Sequence, residues 1–374
     1  MLGHTARKNG LSIAVNLVFA MLASACILPG AARAQATGNT AVADTRGSPW
    51  TSLDQLIAAA NAEKEMSFLG SAAVVGGTKG MAILQDALNK KYGTDVRINY
   101  APGPPMDVAL QRVIQEVSAN QPSFSDVVWS PEADGAGLYK FASPHPADLF
   151  SDLPKQALEF DDRAIRVMSA FPGVIYNTNL IAPDQVPRSL DQIANPAWMG
   201  LASSPAGNTM WPDLPFIVGE ERATAVVKKY AALKPAFLRC GEDARIASGE
   251  FAIFFLSCGD YVVRTLQETG APIAAQVLPD ACIILHWYLY VPTTSRRPAL
   301  AHLFSAFMAT PEGQAAYYRA ARVSDVFSDT PSRKIYDGVT KSGAQCLDID
   351  ADFTQKHGAE QRQFMLVYKQ LLGG

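Results

Sequence analysis

No C-x-x-C, H-E-x-x-H or G-x-S-x-G spacing occurs in the chain, and Lys and Arg never gather into a run. The first two absences remove the paired ligands by which zinc is usually held, and the third removes the elbow that presents a nucleophilic serine. Histidine is scarce: there are 5, and His4 falls in the N-terminal leader, so no base stands in a pattern beside a nucleophile. A secreted hydrolase therefore ranks low, and neither a metal nor another cofactor is expected. Charged residues are only 18% of the chain and the net charge is -3, which gives nucleic acid or an anionic membrane surface nothing to grip. The glycines of VVGGTKG, Val74–Gly80, follow a strand-like segment but match neither G-x-x-x-x-G-K-[ST] nor G-x-G-x-x-G. They read as flexible or closely packed backbone, not as a phosphate loop.

What is present begins with a leader. Arg7 and Lys8 precede an apolar run from Leu11 to Leu28, and Ala32-Arg33-Ala34 supplies a small-x-small cleavage site. Export with cleavage after residue 34 is expected, into the periplasm; a lipid anchor at Cys26, within LASAC, is the alternative. Removal of the leader leaves Cys240, Cys258, Cys282 and Cys346, which allow two disulfides in three connectivities in an oxidising compartment. Cys240 and Cys258 flank one strand-like segment and are the favoured pair. A chain of 374 residues is long enough for two lobes.

After a polar arm over 35–49, Ser52–Ala62 has the spacing of a helix, and Met66–Leu69 reads as a strand ending in a Gly70–Ala73 turn. Met81, Leu84, Leu88 and Tyr92 make a helical stripe; Asp95–Tyr100 alternates as a second strand. Another helical stripe, Met106 to Val117, leads to a third strand at Asp126–Trp129. Strand, helix, strand, helix, strand predicts a doubly wound parallel sheet, whose ligands sit beyond the carboxyl ends of the strands. Those ends place Ser71, Ala72 and Ser130 as candidates, although serines there also serve simply to satisfy turn backbone. Further on, Phe251–Leu256 is almost wholly apolar, as a doubly buried strand should be, and runs into Ser257–Tyr261 and a helix. Ala281–Val291 is a β-prone crossover in which His286 reads as a packed core histidine. Phe364, Val367, Tyr368 and Leu371 mark a closing amphipathic helix.

The stretch Phe171–Pro212 carries the most specific signal. GVIYNTNLI, then P-x-S-L-D-Q-I, then NPAWMG and a small polar turn over Ser203–Asn208 resembles the middle of the family 1 extracellular solute-binding proteins of ABC importers, in their iron, phosphonate and thiamine branch. Leu190 stands where an aromatic is common and Met199 where Lys is usual. The resemblance runs in segments from about Met66 to about Arg319, and Thr310–Gln314 is similar to the family's S-x-E-G-Q.

It implies a type II periplasmic binding fold: two doubly wound α/β lobes joined by crossover strands, with 50–170 and 291–340 as lobe 1 and 171–290 and 341–374 as lobe 2. It also implies a monomer that carries a small ligand to a membrane permease, or, on the same fold, a sensory adaptor for a membrane histidine kinase. Carried over position by position, the ligand residues are Ser71, Ala72 and Ser130 from one lobe and Gly207, Asn208, Thr209, Asp260 and Tyr261 from the other. Hydroxyls and helix N-termini suit a small organic anion such as a phosphonate, phosphate ester or carboxylate. Ferric iron is the alternative: the ferric branch has two tyrosines where this chain has Asp260 and Tyr261, and the first-lobe loops add only Glu132.

Overall fold

A computed structural model describes residues 48–103, 106–131, 137–206, 210–327 and 329–373. The expected leader, Cys26 and most of the 35–49 arm lie outside the described residues. Among those described, no helix is long and apolar enough to cross a membrane.

Helix α1 (Leu53–Glu63) starts where the Ser52 hydroxyl accepts from Gln55 N, and buries Leu56 and Ala60. Strand β1 (Glu65–Gly70) follows, then the short α2 (Ala72–Val75) and α3 (Gly77–Tyr92). The Gly70–Ala73 segment is thus the start of a helical turn, with Ser71 at its N-cap position. β2 (Arg97–Pro102), α4 (Met106–Ser118) and β3 (Val127–Pro131) complete the first winding. After several 3-10 turns come β4 (Leu158–Glu159), β5 (Ala164–Ala170) and β6 (Val174–Asn177).

β7 (Ala202–Pro205), α5 (Leu214–Val218), α6 (Glu220–Ala231), β8 (Ala236–Leu238), α7 (Ala244–Ala247) and β9 (Ile253–Phe255) follow. The chain ends with α8 (Tyr261–Glu268), β10 (Ile273–Gln276), β11 (Ile283–Tyr290), α9 (Pro298–Ala309), α10 (Pro311–Ala321), α11 (Pro331–Lys341), β12 (Leu347–Ile349) and α12 (Ala351–Leu372).

The strands form two sheets. The larger has the order β2-β1-β3-β11-β5-β4, with β12 also paired to β11; the smaller has the order β10-β6-β9-β7-β8. In the larger, β1 is parallel to β2 and β3, as the alternation of strands and helices predicts, while β11 runs antiparallel to β3 and β5. In the smaller, β7 is parallel to β8 and β9, and β6 is antiparallel to β9 and β10. Each sheet has its own apolar core. Leu84, Phe68, Phe304 and Phe307 belong to one; Trp211, Tyr230, Phe254 and Phe255 belong to the other.

β11 joins both cores: Ile283 packs in the smaller sheet's core, and Trp287 and Leu289 pack in the larger one's. The disulfide Cys282–Cys346 sits at its start, and Cys240–Cys258 is the second disulfide, as favoured from the sequence. The small polar residues read as a turn after Ala202 begin instead as buried strand. Ser203 Oγ donates to Ile253 O at 2.9 Å, and Ser204 Oγ accepts from Trp211 Nε1 at 2.8 Å. With both hydroxyls satisfied, burying them carries little penalty.

The glycines of VVGGTKG pack closely. A Cβ on Gly76 would lie 2.0 Å from Ala320 O of α10, and one on Gly80 1.9 Å from Val75 O.

Candidate functional site

Asn177, which ends β6, explains one part of the central motif: its side-chain amide donates to Ile246 O at 2.7 Å and Ala247 O at 3.1 Å, tying α7 to the strand. These two bonds fix the segment leading into β9 and the turn beyond it. The turn leaves β9 through Leu256, whose φ of 46° lies in the left-handed region that branched side chains seldom occupy. Ser257 N donates to Gly173 O at 3.0 Å, and Cys258 is bonded to Cys240, so the surrounding structure holds that backbone.

The turn faces a cavity of about 500 Å³ walled by both sheets. From the larger sheet come the Gly70–Val74 segment beyond β1, Trp129 and Pro131 at the end of β3, and Trp287 of β11. From the smaller come Met210 and Asp213 after β7, the Cys240–Cys258 disulfide and Tyr261. Ile349 and Gln361 reach it from the C-terminal segment. Its place beyond the carboxyl ends of β1, β3, β7 and β9 is where a wound sheet leaves room for a ligand.

The cavity has an aromatic wall. Trp129 and Trp287 stack with centroids 5.8 Å apart and planes 15° apart, and Tyr261 meets Trp287 edge-on at 5.9 Å. Burial, reinforced by the carboxyls of Asp243 and Asp260, pushes the Tyr261 phenol well above its ordinary value, so it stays protonated at neutral pH. No Lys or Arg lines the cavity among the described residues.

Two titratable walls remain. His286 is buried, with Nδ1 2.9 Å from Ser169 Oγ and Nε2 2.5 Å from Asp348 Oδ1 and 3.0 Å from Arg166 Nη1. It is packed and bonded on both ring nitrogens, as a core histidine, although its edge also lines the cavity. Burial lowers its pKa below the usual histidine range. Asp213 is only 2% exposed, and burial raises its carboxyl to about 7, with the Gln361 amide opposing.

Of the residues expected to bind ligand, Ser71, Ala72 and Tyr261 line this cavity. Ser130 is buried within β3, its hydroxyl donating to Pro131 O at 3.1 Å, and does not reach it. The Asp260 carboxylate turns away, accepting from Arg264 Nη1 at 2.7 Å and from Phe171 N at 3.3 Å. The Arg264 guanidinium thus offsets the negative charge that Asp260 would otherwise bring near an anionic ligand. Gly207, Asn208, Thr209 and Glu132 lie outside the described residues. The sequence reading did not anticipate Trp129, Trp287, Asp213 and Gln361 in the cavity wall. The tryptophans were hidden in strand patterns, and Gln361 in a helix identified only by its apolar stripe. Among the described residues no cluster of three or more His, Cys, Asp or Glu side chains could hold a metal ion.

A family model described as bacterial extracellular solute-binding protein matches residues 75–315. No protein of curated function matches the chain by sequence. Among solved structures, the substrate-binding protein of an ABC transporter from Agrobacterium tumefaciens has a TM-score of 0.66 at 12% identity, covering 83% of this chain and 94% of that one. The binding protein AfuA from Actinobacillus pleuropneumoniae, solved with fructose-6-phosphate, has a TM-score of 0.60 at 14% identity over 83% of this chain and 98% of its own. Iron-bound HitA from Pseudomonas aeruginosa has a TM-score of 0.55 at 17% identity over 69% and 85%.

Proposed function

The chain belongs to the bacterial extracellular solute-binding proteins, the substrate-binding components of ABC transporters, which are not enzymes, and from that premise we propose that its cavity captures a small organic anion for delivery to a membrane permease. The two sheets with their helices act as two lobes, and the protein works as an exported monomer in the periplasm.

One observation carries this reading: a cavity of about 500 Å³ whose walls come from both sheets. Its volume suits a ligand of metabolite size, and its tryptophans offer flat apolar surface to an organic body. With no basic side chain among the described lining residues, an anionic group would be held by the Ser71 hydroxyl and by peptide N–H groups. Ferric iron finds less support, because Tyr261 is buried against Trp287 and its phenol resists ionisation.

Native mass spectrometry of protein purified without denaturation tests the proposal, followed by calorimetric titration against phosphonates, phosphate esters, carboxylates and ferric citrate. A bound organic acid is expected. A phenolate-to-iron charge-transfer band that disappears in Tyr261→Phe would restore the iron reading. Loss of uptake on deleting the gene assigns the importer role, whereas loss of ligand-dependent kinase signalling with uptake intact assigns the sensory one.

A further inference from the structure

Asp213 is the least expected group in the cavity wall. It follows Trp211 and Pro212 in a 3-10 turn whose tryptophan is anchored on Ser204, so its position is set by the smaller sheet's core. Gln361 of α12 donates its amide to Asp213 Oδ1 at 2.6 Å. Among the described residues that is the hydrogen bond the carboxyl receives, and no Lys, Arg or His side chain pairs with it. A carboxylate held this far from water without a cation is costly, and the usual remedy is a positive partner. The same cavity presents Trp129, Trp287 and Tyr261, whose ring systems attract a cation electrostatically. The Gln361 amide, having donated its N–H to Asp213, keeps its carbonyl oxygen as a further acceptor.

We propose that Asp213 and Gln361 form an ammonium-accepting subsite, so that the ligand is a zwitterion: a small organic anion that also carries an amine. This rests on the anion reading above. The amine sits between the Asp213 carboxylate and the aromatic wall, with Gln361 orienting the carboxylate, while the acidic group lies toward the Ser71 side of the cavity. Asp213 and Gln361 then decide which anions are accepted, because an amine-free anion leaves the buried carboxylate unpaired.

Matched pairs test the assignment: 4-aminobutyrate against butyrate, 2-aminoethylphosphonate against ethylphosphonate, with butylamine as an amine lacking an acid. Calorimetric titration is run on the wild type, Asp213→Asn and Gln361→Leu, with thermal unfolding to establish that each variant is folded. In the wild type the amine-bearing member of a pair is expected to bind at least tenfold more tightly than its partner. Asp213→Asn should abolish that preference while leaving the affinity for the amine-free anion the same or higher; Gln361→Leu should reduce it part of the way. Equal affinities within each wild-type pair, or a preference that survives Asp213→Asn, overturns the subsite and leaves the anion reading standing. Butylamine binding in the absence of any anion binding does the reverse, keeping the subsite and removing the anion. Binding by none of these probes overturns both.

Discussion

A buried carboxyl beside an amide has a measurable signature apart from any ligand. The Asp213 carboxyl titrates at about 7 in the folded protein against an ordinary value of 3.8, so between those values the folded state holds a proton that the unfolded state has released. Stability contributed by this group is fully present below the lower value and falls as pH rises through the higher one. Full ionisation costs roughly 4 kcal/mol at about 1.4 kcal/mol for each pH unit of difference. Asp213→Asn removes the titration, so the variant is expected to gain stability relative to wild type between pH 5 and pH 8 in urea unfolding. A stability difference that stays flat over that interval would show that Asp213 is ionised throughout. The comparison between the two proteins is needed because His145 and His302 impose the opposite slope. Their ring nitrogens lie 2.9 Å apart in the core, and burial lowers His302 to about 3 and His145 well below its ordinary value. Both stay neutral when folded, so their contribution is lost as pH falls below about 6.5. His145 and His302, uninformative as catalysts, thus carry acid sensitivity.

The packing of α3 against α10 and α2 turns on Gly76 and Gly80, and comparison of Gly76 with its open neighbour Gly77 isolates the cost of a single methyl group. Gly76 combines a φ of 70° with a Cβ position 2.0 Å from Ala320 O, whereas Gly77 has a φ of 63° and open space around its Cβ. Gly77→Ala should cost only the left-handed backbone strain, about 1 kcal/mol, and Gly76→Ala distinctly more, since the obstruction is backbone that no rotamer change relieves. Thermal unfolding of the two variants checks the order; equal losses would mean that the helices part easily. Local pattern made these elements readable. β1, β2, β3, β9 and β11 are apolar or alternating runs, and the sequence reading placed each within a few residues. It failed where a long-range partner satisfies a polar side chain. Ser203 and Ser204 resemble turn residues until Ile253 O and Trp211 Nε1 are seen to bond them. Asp213 and Gln361 are separated by 148 residues, so no window along the chain could have paired them. Ser71 and Tyr261 were readable as cavity-lining residues because each follows the carboxyl end of a strand, a position fixed by local pattern.

On the scale of the molecule, the reading as a two-lobed binder requires the sheets to move about a narrow junction. That junction contains the Phe171–Gly173 link from β5 to β6 and the first half of β11. Leu285 there pairs with Ala170 on β5 and Ile349 on β12, so rotation must be absorbed within a few residues of these pairs. Gly173 is the tightest point of the junction: a Cβ on it would lie 2.5 Å from Gln276 O, at the end of β10, and 3.2 Å from Val277 Cα, just beyond it. Gly173→Ala must therefore push β10 away from the link, and the displaced strand belongs to the sheet that carries Asp213 and Tyr261. The expected result is a folded protein with ligand affinity lowered about tenfold or more, equivalent to at least about 1.4 kcal/mol. Small-angle scattering distinguishes the cause. Wild type should contract when its ligand is added, and the variant should contract less at saturation, because the junction no longer reaches the closed geometry. An affinity loss with full contraction would place the damage in the cavity wall instead. No contraction in the wild type at all would remove the hinge from the mechanism.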